Sequence, residues 1–391
     1  MITLKEAYQI VINSARETNT ERVNFINSLG RILAEDIFSD SNIPSFNKST
    51  MDGYAYKNTD TSGFLKVIET IQAGYSPTKI IKKAECSKIM TGAEIPEGAD
   101  CVVQVENTQI IETNLIKIIK QDTKTNIRYL GEDLHSKEKV LIKGTLIRSQ
   151  EIAAMATVGC VNPLLFSKPV VGIISTGNEL VEPDKVPAKS QIRNSNACQL
   201  TAQCQKLGIL PIYFGIANDS PEELKEKIIE AENKCDVILL TGGVSMGEFD
   251  YVPQILAEVG FVIKFKNIAV QPGKPTLFCV KNNKFCFGLP GNPVSSFMQF
   301  ELLVIPLLYK MMGHLFKPSF SILPFDSDYK RKNNDRELII PVLISSVHTV
   351  VPVKYHGSGH LFALNSAHGF IRLPVDVLEI KKGENVIVRQ I

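Results

Sequence analysis

Residues 169–292 alternate short, strongly apolar runs with amphipathic runs. The runs 169–175 (PVVGIIS) and 236–240 (DVILL) have the composition of strands that are buried on both faces. The amphipathic run 220–233 begins with Ser220, Pro221 and Glu223, which are favourable residues for the start of a helix. Strands that are apolar on both faces and alternate with helices form a parallel sheet that is covered on both sides. We therefore predict a three-layer α/β domain, with strands at 169–175, 209–216, 236–240, 261–265 and 277–280 and helices at 194–207, 220–233 and 251–259.

The sequence on either side of this region has a different pattern. A capping box at 3–6 predicts a short first helix, and 151–158 predicts another. From 43 to 140, short apolar runs are separated by glycine turns, which indicates a small β-rich domain. After Pro318 the pattern is again that of strands, which predicts a small β barrel or sandwich. A length of 391 residues by itself corresponds to about two or three domains.

The charge balance and the apolar segments exclude several classes of partner. Lys and Arg number 43 and Asp and Glu 41, so the formal charge of +2 argues against nucleic acid and against a polybasic membrane contact. The longest strongly apolar stretch, 300–309, contains Glu301 and Pro306 and is shorter than a bilayer span, so we expect no transmembrane helix. Lys5 and Glu6 interrupt the apolar core that a secretion signal needs, so we expect a cytoplasmic protein. The eight cysteines form no C-x-x-C pair, which favours free thiols over disulfides or zinc.

Three turn sequences follow predicted strands of the α/β domain. They are STGNE at 175–179, TGGVSMG at 241–247 followed by Asp250, and LPGNPVS at 289–295. In open α/β sheets, ligands bind beyond the carboxyl ends of the strands, where glycines let backbone amides approach a phosphate. A single turn of this kind is as consistent with a tight connection as with a binding site, but three on one sheet favour a phosphate site.

Charged residues accompany these turns. Lys274 lies in PGKP (272–275), which lacks the glycine spacing and the hydroxyl of a P-loop but could hold the ammonium near an oxyanion. Glu179, Asp219 and Asp250 follow three predicted strands, and carboxylates beside a phosphate most plausibly hold Mg²⁺ between them. The alternative is that Asp219 and Asp250 cap the helices that follow them.

Two further motifs favour structural interpretations when each is taken alone. His356 and His360 are four residues apart, but Gly357 and Gly359 argue against a helix, so we interpret HGSGH as a turn and not a zinc site. Asp52 precedes Gly53 in MDGY, a pair that is typical of a hairpin turn.

Taken together, the motifs resemble the molybdopterin molybdenumtransferases, whose animal relatives include the E domain of gephyrin. The matching segments occur in order over nearly the whole chain: MDGYA (51–55), MTGA and PEGAD (90–100), GED (131–133), STGNEL (175–180), RNSN (193–196), GGVSMGEFDY (242–251), PGKP (272–275) and GLPGNPVS (288–295).

The resemblance implies an elongated homodimer of four-domain chains. Its α/β multidomain fold would comprise an N-terminal helical and linking domain (1–42 with 141–167), a β-rich inserted domain (43–140), a central three-layer α/β domain of the molybdopterin-binding type (168–315) and a small C-terminal β-barrel domain (316–391). The activity implied is insertion of molybdenum into molybdopterin, in which adenylylated molybdopterin and molybdate react with Mg²⁺ to give the cofactor and AMP.

The resemblance also implies roles for individual residues. Gly242, Gly243 and Ser245 would hold the AMP part, with Asp219 and Asp250 beside the magnesium and Glu179 in the same catalytic set. Lys274, Ser295, Arg336 and Ser358 would contact molybdate, and Pro275 would belong to the cofactor-binding set. Asp52, Thr91 and Asp133 of the β-rich domain would complete the site of the partner subunit. Transient contacts are implied with the molybdopterin adenylyltransferase and with enzymes that accept the cofactor.

The chain departs from the family pattern at two positions. Asn178 stands where many relatives have Asp, and Gln271 stands where many have Lys or Arg. If the charge at position 271 helps to hold molybdate, either Lys266 or Arg336 compensates for its loss or molybdate binding is weaker in this chain. Three other functions compete with this one. They are the preceding adenylyltransferase step, which the additional domains disfavour, a non-catalytic scaffold of the gephyrin type, and a sugar- or nucleotide-phosphate enzyme, which would leave MDGY and GED unexplained.

Overall fold

The computed structural model describes residues 1–60, 63–243, 251–331 and 333–391. The first 167 residues contain two helices and a set of short strands. In chain order these are α1 (Leu4–Ser14), β1 (Thr20–Arg22), β2 (Ile37–Phe38), β3 (Lys48–Ser49), β4 (Gly53–Tyr56), β5 (Phe64–Ile71), β6 (Glu85–Ile89), β7 (Cys101–Gln104), β8 (Thr108–Glu112), β9 (Leu115–Ile118), β10 (Ile127–Arg128), β11 (Lys139–Leu141), α2 (Ser149–Thr157) and β12 (Leu164–Phe166). The capping box of α1 is present, with the Thr3 oxygen accepting from the Glu6 amide.

A β-rich unit is inserted into this segment. Six strands form one sheet in the order β7-β4-β6-β5-β9-β8, around a core that includes Tyr54, Tyr56 and Val103. The chain enters and leaves the unit along paired strands, because β2 pairs with β11 and β3 pairs with β10. The inserted unit is therefore joined to the N-terminal segment by two chain connections that lie side by side.

The central region has the predicted alternation of strands and helices. It comprises β13 (Val171–Thr176), β14 (Leu180–Val181), β15 (Ile192–Arg193), α3 (Ser195–Lys206), β16 (Ile212–Ala217), α4 (Pro221–Lys234), β17 (Val237–Thr241), α5 (Val252–Glu258), β18 (Val262–Phe265), β19 (Val270–Gln271), β20 (Leu277–Lys281), β21 (Lys284–Leu289), α6 (Pro293–Gln299), a π-helical turn (Phe300–Val304) and α7 (Ile305–Met311). Val237 and Leu239 pack into one core, and Ile238 and Leu240 into a second core on the opposite face. The three-layer arrangement is thus confirmed.

The central sheet is mixed, whereas the sequence predicted a parallel one. Its order is β16-β13-β17-β21-β20-β18, and the first four strands are parallel. β20 runs antiparallel to β21 because only Asn282 and Asn283 connect them, and a parallel pair needs a connection of about a dozen residues. The strands that carry the glycine turns belong to the parallel part.

The helix that follows the sheet is a core element. Pro293–Met311 is long and apolar enough to span a membrane by length and composition, but 83% of it is buried inside the protein. Pro306 lacks the amide that a regular helix would use, and the π-helical turn lies immediately before it. Helical structure nevertheless continues past this proline to the end of α7.

The C-terminal region forms a second β unit. Its strands are β22 (Phe320–Pro324), β23 (Tyr329–Lys330), β24 (Glu337–Ile344), β25 (Val350–Pro352), β26 (Gly369–Leu373), β27 (Glu379–Ile380) and β28 (Asn385–Gln390). The main sheet has the order β19-β24-β26-β28-β22, so a strand of the central region forms its edge. The backbone of β19 thereby joins the two units directly beside the PGKP turn.

Candidate functional site

The carboxyl ends of β13, β16, β17 and β21 meet at one edge of the central sheet, because these strands are parallel. Gly242 and Gly243 follow β17 with φ values of +89° and +63°, a conformation that favours glycine. A Cβ on Gly242 would lie 2.5 Å from the carbonyl oxygen of Thr176, which belongs to the neighbouring strand. Glycine is therefore required here by both the backbone conformation and the close approach of β13.

The turn after β21 packs against this glycine turn. The amide of Gly242 donates to the carbonyl oxygen of Leu289 over 3.2 Å. A Cβ placed on Gly291 would lie 3.8 Å from the Cα of Gly242. Two of the three predicted turns therefore form one continuous surface at the edge of the sheet.

Asp219 lies at the end of β16 and bonds to the turn that follows β13. The amide of Asn178 donates to Asp219 Oδ2 over 3.2 Å, and the amide of Asp219 donates to Asn178 Oδ1 over 3.0 Å. Ser220 caps α4 by accepting from the amide of Glu223, so the alternative that Asp219 caps this helix is wrong. Asn178 can fill this reciprocal arrangement without placing a second negative charge beside Asp219.

The carboxylate of Asp219 suits a magnesium ion. Its second oxygen, Oδ1, has no recorded hydrogen bond to any described residue, and Mg²⁺ is usually bound through one or two carboxylates together with substrate phosphates. Glu179 is exposed, and its carboxylate lies against Gly177 of the same turn, where a Cβ would lie 2.4 Å from Glu179 Oε2. Ser245 and Asp250, which complete the predicted nucleotide and metal set, lie outside the described residues.

A cavity of about 440 Å³ lies between the central and the C-terminal units. Its walls contain the four residues assigned to molybdate by resemblance, namely Lys274, Ser295, Arg336 and Ser358, and also Pro275 of the cofactor-binding set. These residues come from four separate segments of the chain, two in each unit. The fold thus collects them at one place although Lys274 and Ser358 are far apart in the sequence.

Two cationic side chains line the cavity among the described residues. Lys274 is exposed, and its ammonium forms no recorded ion pair or hydrogen bond with any described residue. Arg336 is half-buried and bonds through Nε to the carboxylate of Asp335 over 3.2 Å. Its two terminal nitrogens have no recorded partner in the described part of the chain. Both cations are therefore able to bind an anion, whereas Lys266 is not among the lining residues.

The turn that presents Lys274 is held by its backbone. The Thr276 hydroxyl donates to the carbonyl oxygen of Gly273 over 2.7 Å, and the Ile268 amide donates to that of Lys274 over 3.0 Å. Gly273 has a φ of +109°, and a Cβ there would lie 2.2 Å from the side chain of Gln299. The lysine is thus carried on a fixed backbone.

Sequence reasoning missed two residues of this cavity. Asn292 donates from Nδ2 to Ser358 Oγ over 2.8 Å, and Tyr355 lines the wall with a buried hydroxyl that has no partner among the described residues. Burial raises the pKa of Tyr355 to about 12, so the phenol is neutral. Asn292 lies within the quoted motif GLPGNPVS, but no sequence signal singled out its side chain or that of Tyr355.

Asp52, Thr91 and Asp133 lie on the inserted unit and do not line the cavity. Asp52 accepts from the amide and the hydroxyl of Thr91 over 2.7 and 2.9 Å, and these bonds lower the pKa of Asp52. The hairpin interpretation of Asp52 is wrong, because the flanking strands β3 and β4 pair with other strands and not with each other. Asp133 forms an ion pair with Arg128.

The segment HGSGH is a turn, as predicted. His356 and His360 lie with their ring centroids 5.1 Å apart, and the His356 amide donates to His360 Nδ1 over 3.4 Å. Within the described ranges, no group of three or more His, Cys, Asp or Glu side chains is arranged to hold a metal ion. The eight cysteines are free thiols.

Comparison with known proteins gives one consistent result along the chain. Residues 2–159 match the family profile described as the MoeA N-terminal region (domain I and II). Residues 172–310 match the probable molybdopterin binding domain, and residues 324–391 match the MoeA C-terminal region (domain IV).

Individual relatives cover the whole chain. The molybdopterin molybdenumtransferase of Staphylococcus epidermidis is 35% identical over 99% of this chain and 95% of its own length. The molybdopterin molybdenumtransferase of Staphylococcus aureus is 35% identical over 98% of this chain and 94% of its own length. Two crystal structures of the molybdopterin biosynthesis MoeA protein from Pyrococcus horikoshii match with TM-scores of 0.84 and 0.87, at 33% and 29% identity. They cover 100% of this chain, and 99% and 100% of theirs.

Proposed function

The chain belongs to the molybdopterin molybdenumtransferase family, the enzymes that insert molybdenum into molybdopterin, and we propose that it uses a Mg²⁺-dependent reaction of adenylylated molybdopterin with molybdate. The observation that carries this proposal is the cavity between the two units. There, the ammonium of Lys274 and the terminal nitrogens of Arg336 have no partner among the described residues, and two serines also line the wall. Molybdate is a tetrahedral dianion, so it needs cationic and hydroxyl donors of this kind.

The substrate's adenylyl group would bind at the edge of the central sheet. Gly242 and Gly243 put no side chain in the way of a phosphate, and the amide of Gly243 is the one left to bind it, since the amide of Gly242 donates to Leu289. Asp219 and Asp250 would hold Mg²⁺ there, and the ion would neutralise the charge that develops on the phosphoanhydride. Glu179 extends the same acidic edge.

The residues of the chain then act through position and charge. Lys274 and Arg336 bind molybdate and orient one of its oxygens toward the phosphoanhydride, and Ser295 and Ser358 contribute hydroxyl donors. Attack by that oxygen on the adenylyl phosphorus would break the anhydride bond, with the pterin phosphate as the leaving group, and would join AMP to molybdate. The dithiolate sulfurs of the pterin would then bind molybdenum and displace the AMP oxygen from it, which releases AMP. No side chain needs to form a covalent bond with either substrate.

The first prediction concerns the dependence of AMP release on both inorganic components. Incubation of the protein with adenylylated molybdopterin should release AMP only when molybdate and Mg²⁺ are both present, because the anion attacks and the metal neutralises charge. AMP is measured by chromatography in the four combinations of the two ions. Release that is equally fast without molybdate would mean simple hydrolysis and would contradict the transferase mechanism.

We also propose that the enzyme is a homodimer whose site is shared between subunits. Asp52 and Thr91 bond to each other on the inserted unit, outside the cavity of their own chain. A second subunit that brings this unit to the cavity would give them access to the substrate. We further propose a cytoplasmic location, with transient contacts to the adenylyltransferase that makes the substrate and to enzymes that accept the cofactor.

Complementation between inactive variants tests the shared site. Asp52→Ala and Lys274→Ala should each be strongly impaired, but their mixed dimer keeps one of its two sites intact, so the purified mixed dimer should have about half of wild-type activity. The subunits are co-expressed with different tags, and the mixed dimers are purified and assayed for AMP release.

The matched control pairs Asp52→Ala with Thr91→Ala. Both changes lie on the inserted unit, so every site of the mixed dimer is damaged and no activity should return. Recovery in neither pair, or equal recovery in both, would contradict a site built from two subunits.

A further inference from the structure

Asn292 occupies the N-cap position of α6, but its side chain makes no capping hydrogen bond. An asparagine at this position ordinarily accepts from an amide in the first turn of its own helix. Here its Nδ2 donates instead to Ser358 Oγ over 2.8 Å, across the boundary between the central and the C-terminal units. The side chain is therefore used to connect the two walls of the cavity.

This contact determines how the hydroxyl of Ser358 can be used. A serine hydroxyl has one hydrogen to donate, and its oxygen can accept from other groups. Because Nδ2 of Asn292 can only donate, Ser358 Oγ is the acceptor in this bond and its own hydrogen is left for another partner. The carbonyl oxygen of Ser358 also accepts from the Val294 amide over 3.1 Å, so its backbone is held by the same turn.

Asn292 also lies between the two halves of the site. It follows Gly291 in the chain, and a Cβ placed on Gly291 would lie 3.8 Å from the Cα of Gly242, which belongs to the turn assigned to the nucleotide. Asn292 and Ser358 both line the cavity that contains Lys274 and Arg336. An oxyanion accepts hydrogen bonds only, so a hydroxyl whose hydrogen is already committed elsewhere would be of no use to it.

We propose that Asn292 is a positioning residue for molybdate, which acts by keeping the Ser358 hydroxyl as a donor toward the cavity. This inference rests on the proposed function, since it concerns the same anion. It assigns no chemical step to Asn292. A change at position 292 should therefore alter the molybdate concentration needed for half-maximal rate and leave the rate at saturating molybdate within about twofold.

The test is a double-mutant cycle in the full-length protein. Asn292→Ala and Ser358→Ala should each raise the half-saturating molybdate concentration about tenfold, because each removes the oriented donor. The double variant should have a half-saturating molybdate concentration no higher than that of either single variant. Asn292→Asp should raise the half-saturating molybdate concentration more than Asn292→Ala does, because a carboxylate accepts the Ser358 hydroxyl hydrogen and turns it away from the cavity. Binding of molybdate alone, measured by equilibrium dialysis, should follow the same order.

Two outcomes would overturn the inference. One is an unchanged half-saturating concentration in Asn292→Ala, and the other is a double variant whose loss equals the product of the single losses. Thermal melting of each variant shows whether it is folded, and Asn283→Ala, in the hairpin between β20 and β21, is the matched control. If wild-type AMP release does not depend on molybdate, the proposed function fails. If it does and Asn292→Ala is unaffected, only the role of Asn292 fails.

Discussion

Replacing Lys274 with alanine should raise the molybdate concentration for half-maximal AMP release by about 30-fold, the loss expected for one charged hydrogen bond to an anion. The ammonium is not engaged by any described residue, so its removal leaves no carboxylate of the protein unpaired. The lost interaction is therefore with the substrate. The measurement is the rate of AMP release against molybdate concentration at saturating adenylylated molybdopterin and Mg²⁺.

Two further variants test whether the effect comes from the positive charge at position 274. Lys274→Arg keeps a cation on the same turn and should lose less than Lys274→Ala, because arginine can still donate to an oxyanion. Lys264→Ala removes an exposed lysine of β18, outside the cavity, and should leave the molybdate dependence unchanged. If the half-saturating concentration does not change in Lys274→Ala, the lysine has no part in binding molybdate.

The sequence was most informative where local chemistry determines structure. The apolar run before Gly242 and the cap at Ser220 each specify an element from a few adjacent residues, and both elements are present. The position of the glycine turns at one edge of the sheet follows from the parallel strands that precede them. The site was predictable to this extent because parallel strands always bring their carboxyl ends together.

Contacts between distant residues were not predictable in this way. The bond from Asn292 to Ser358 and the partly buried wall at Tyr355 depend on how the C-terminal unit packs against the central one. The antiparallel course of β20 depends on a two-residue connection whose apolar flanks look like those of any buried strand. The pairing of Asp52 with Thr91 likewise joins two loops that no local pattern relates.

A buried ion pair connects the C-terminal unit to the core helix. Arg389 of β28 donates from Nη2 to the carbonyl oxygen of Glu301 over 2.6 Å, and its charge lies 3.5 Å from the Glu301 carboxylate. Both side chains are less than 10% exposed, and Gln203 donates to the other carboxylate oxygen over 3.0 Å. Glu301 lies in the π-helical turn of the core helix, so the pair joins that helix to the last strand.

Arg389→Met should lower the free energy of unfolding by about 3–5 kcal/mol, because it leaves the Glu301 carboxylate buried without its cation. Arg372→Ala is the control. It removes a 2.6 Å ion pair with Glu337 in which the arginine is 46% exposed, and it should cost at most about 1 kcal/mol. Urea unfolding measures both values, and a loss below 1 kcal/mol in Arg389→Met would contradict the role assigned to the pair.

The same variant should also weaken molybdate binding, although Arg389 does not line the cavity. Arg336 and Ser358 belong to the C-terminal unit, and they face Lys274 only while that unit is held against the core helix. Arg389→Met combined with Glu301→Gln removes the uncompensated charge, and it should recover part of the stability lost in the single variant. If molybdate binding recovers in parallel, the buried pair acts on the site through attachment of the C-terminal unit. Recovered stability without recovered binding would show instead that the buried pair does not influence the molybdate site through attachment of the unit.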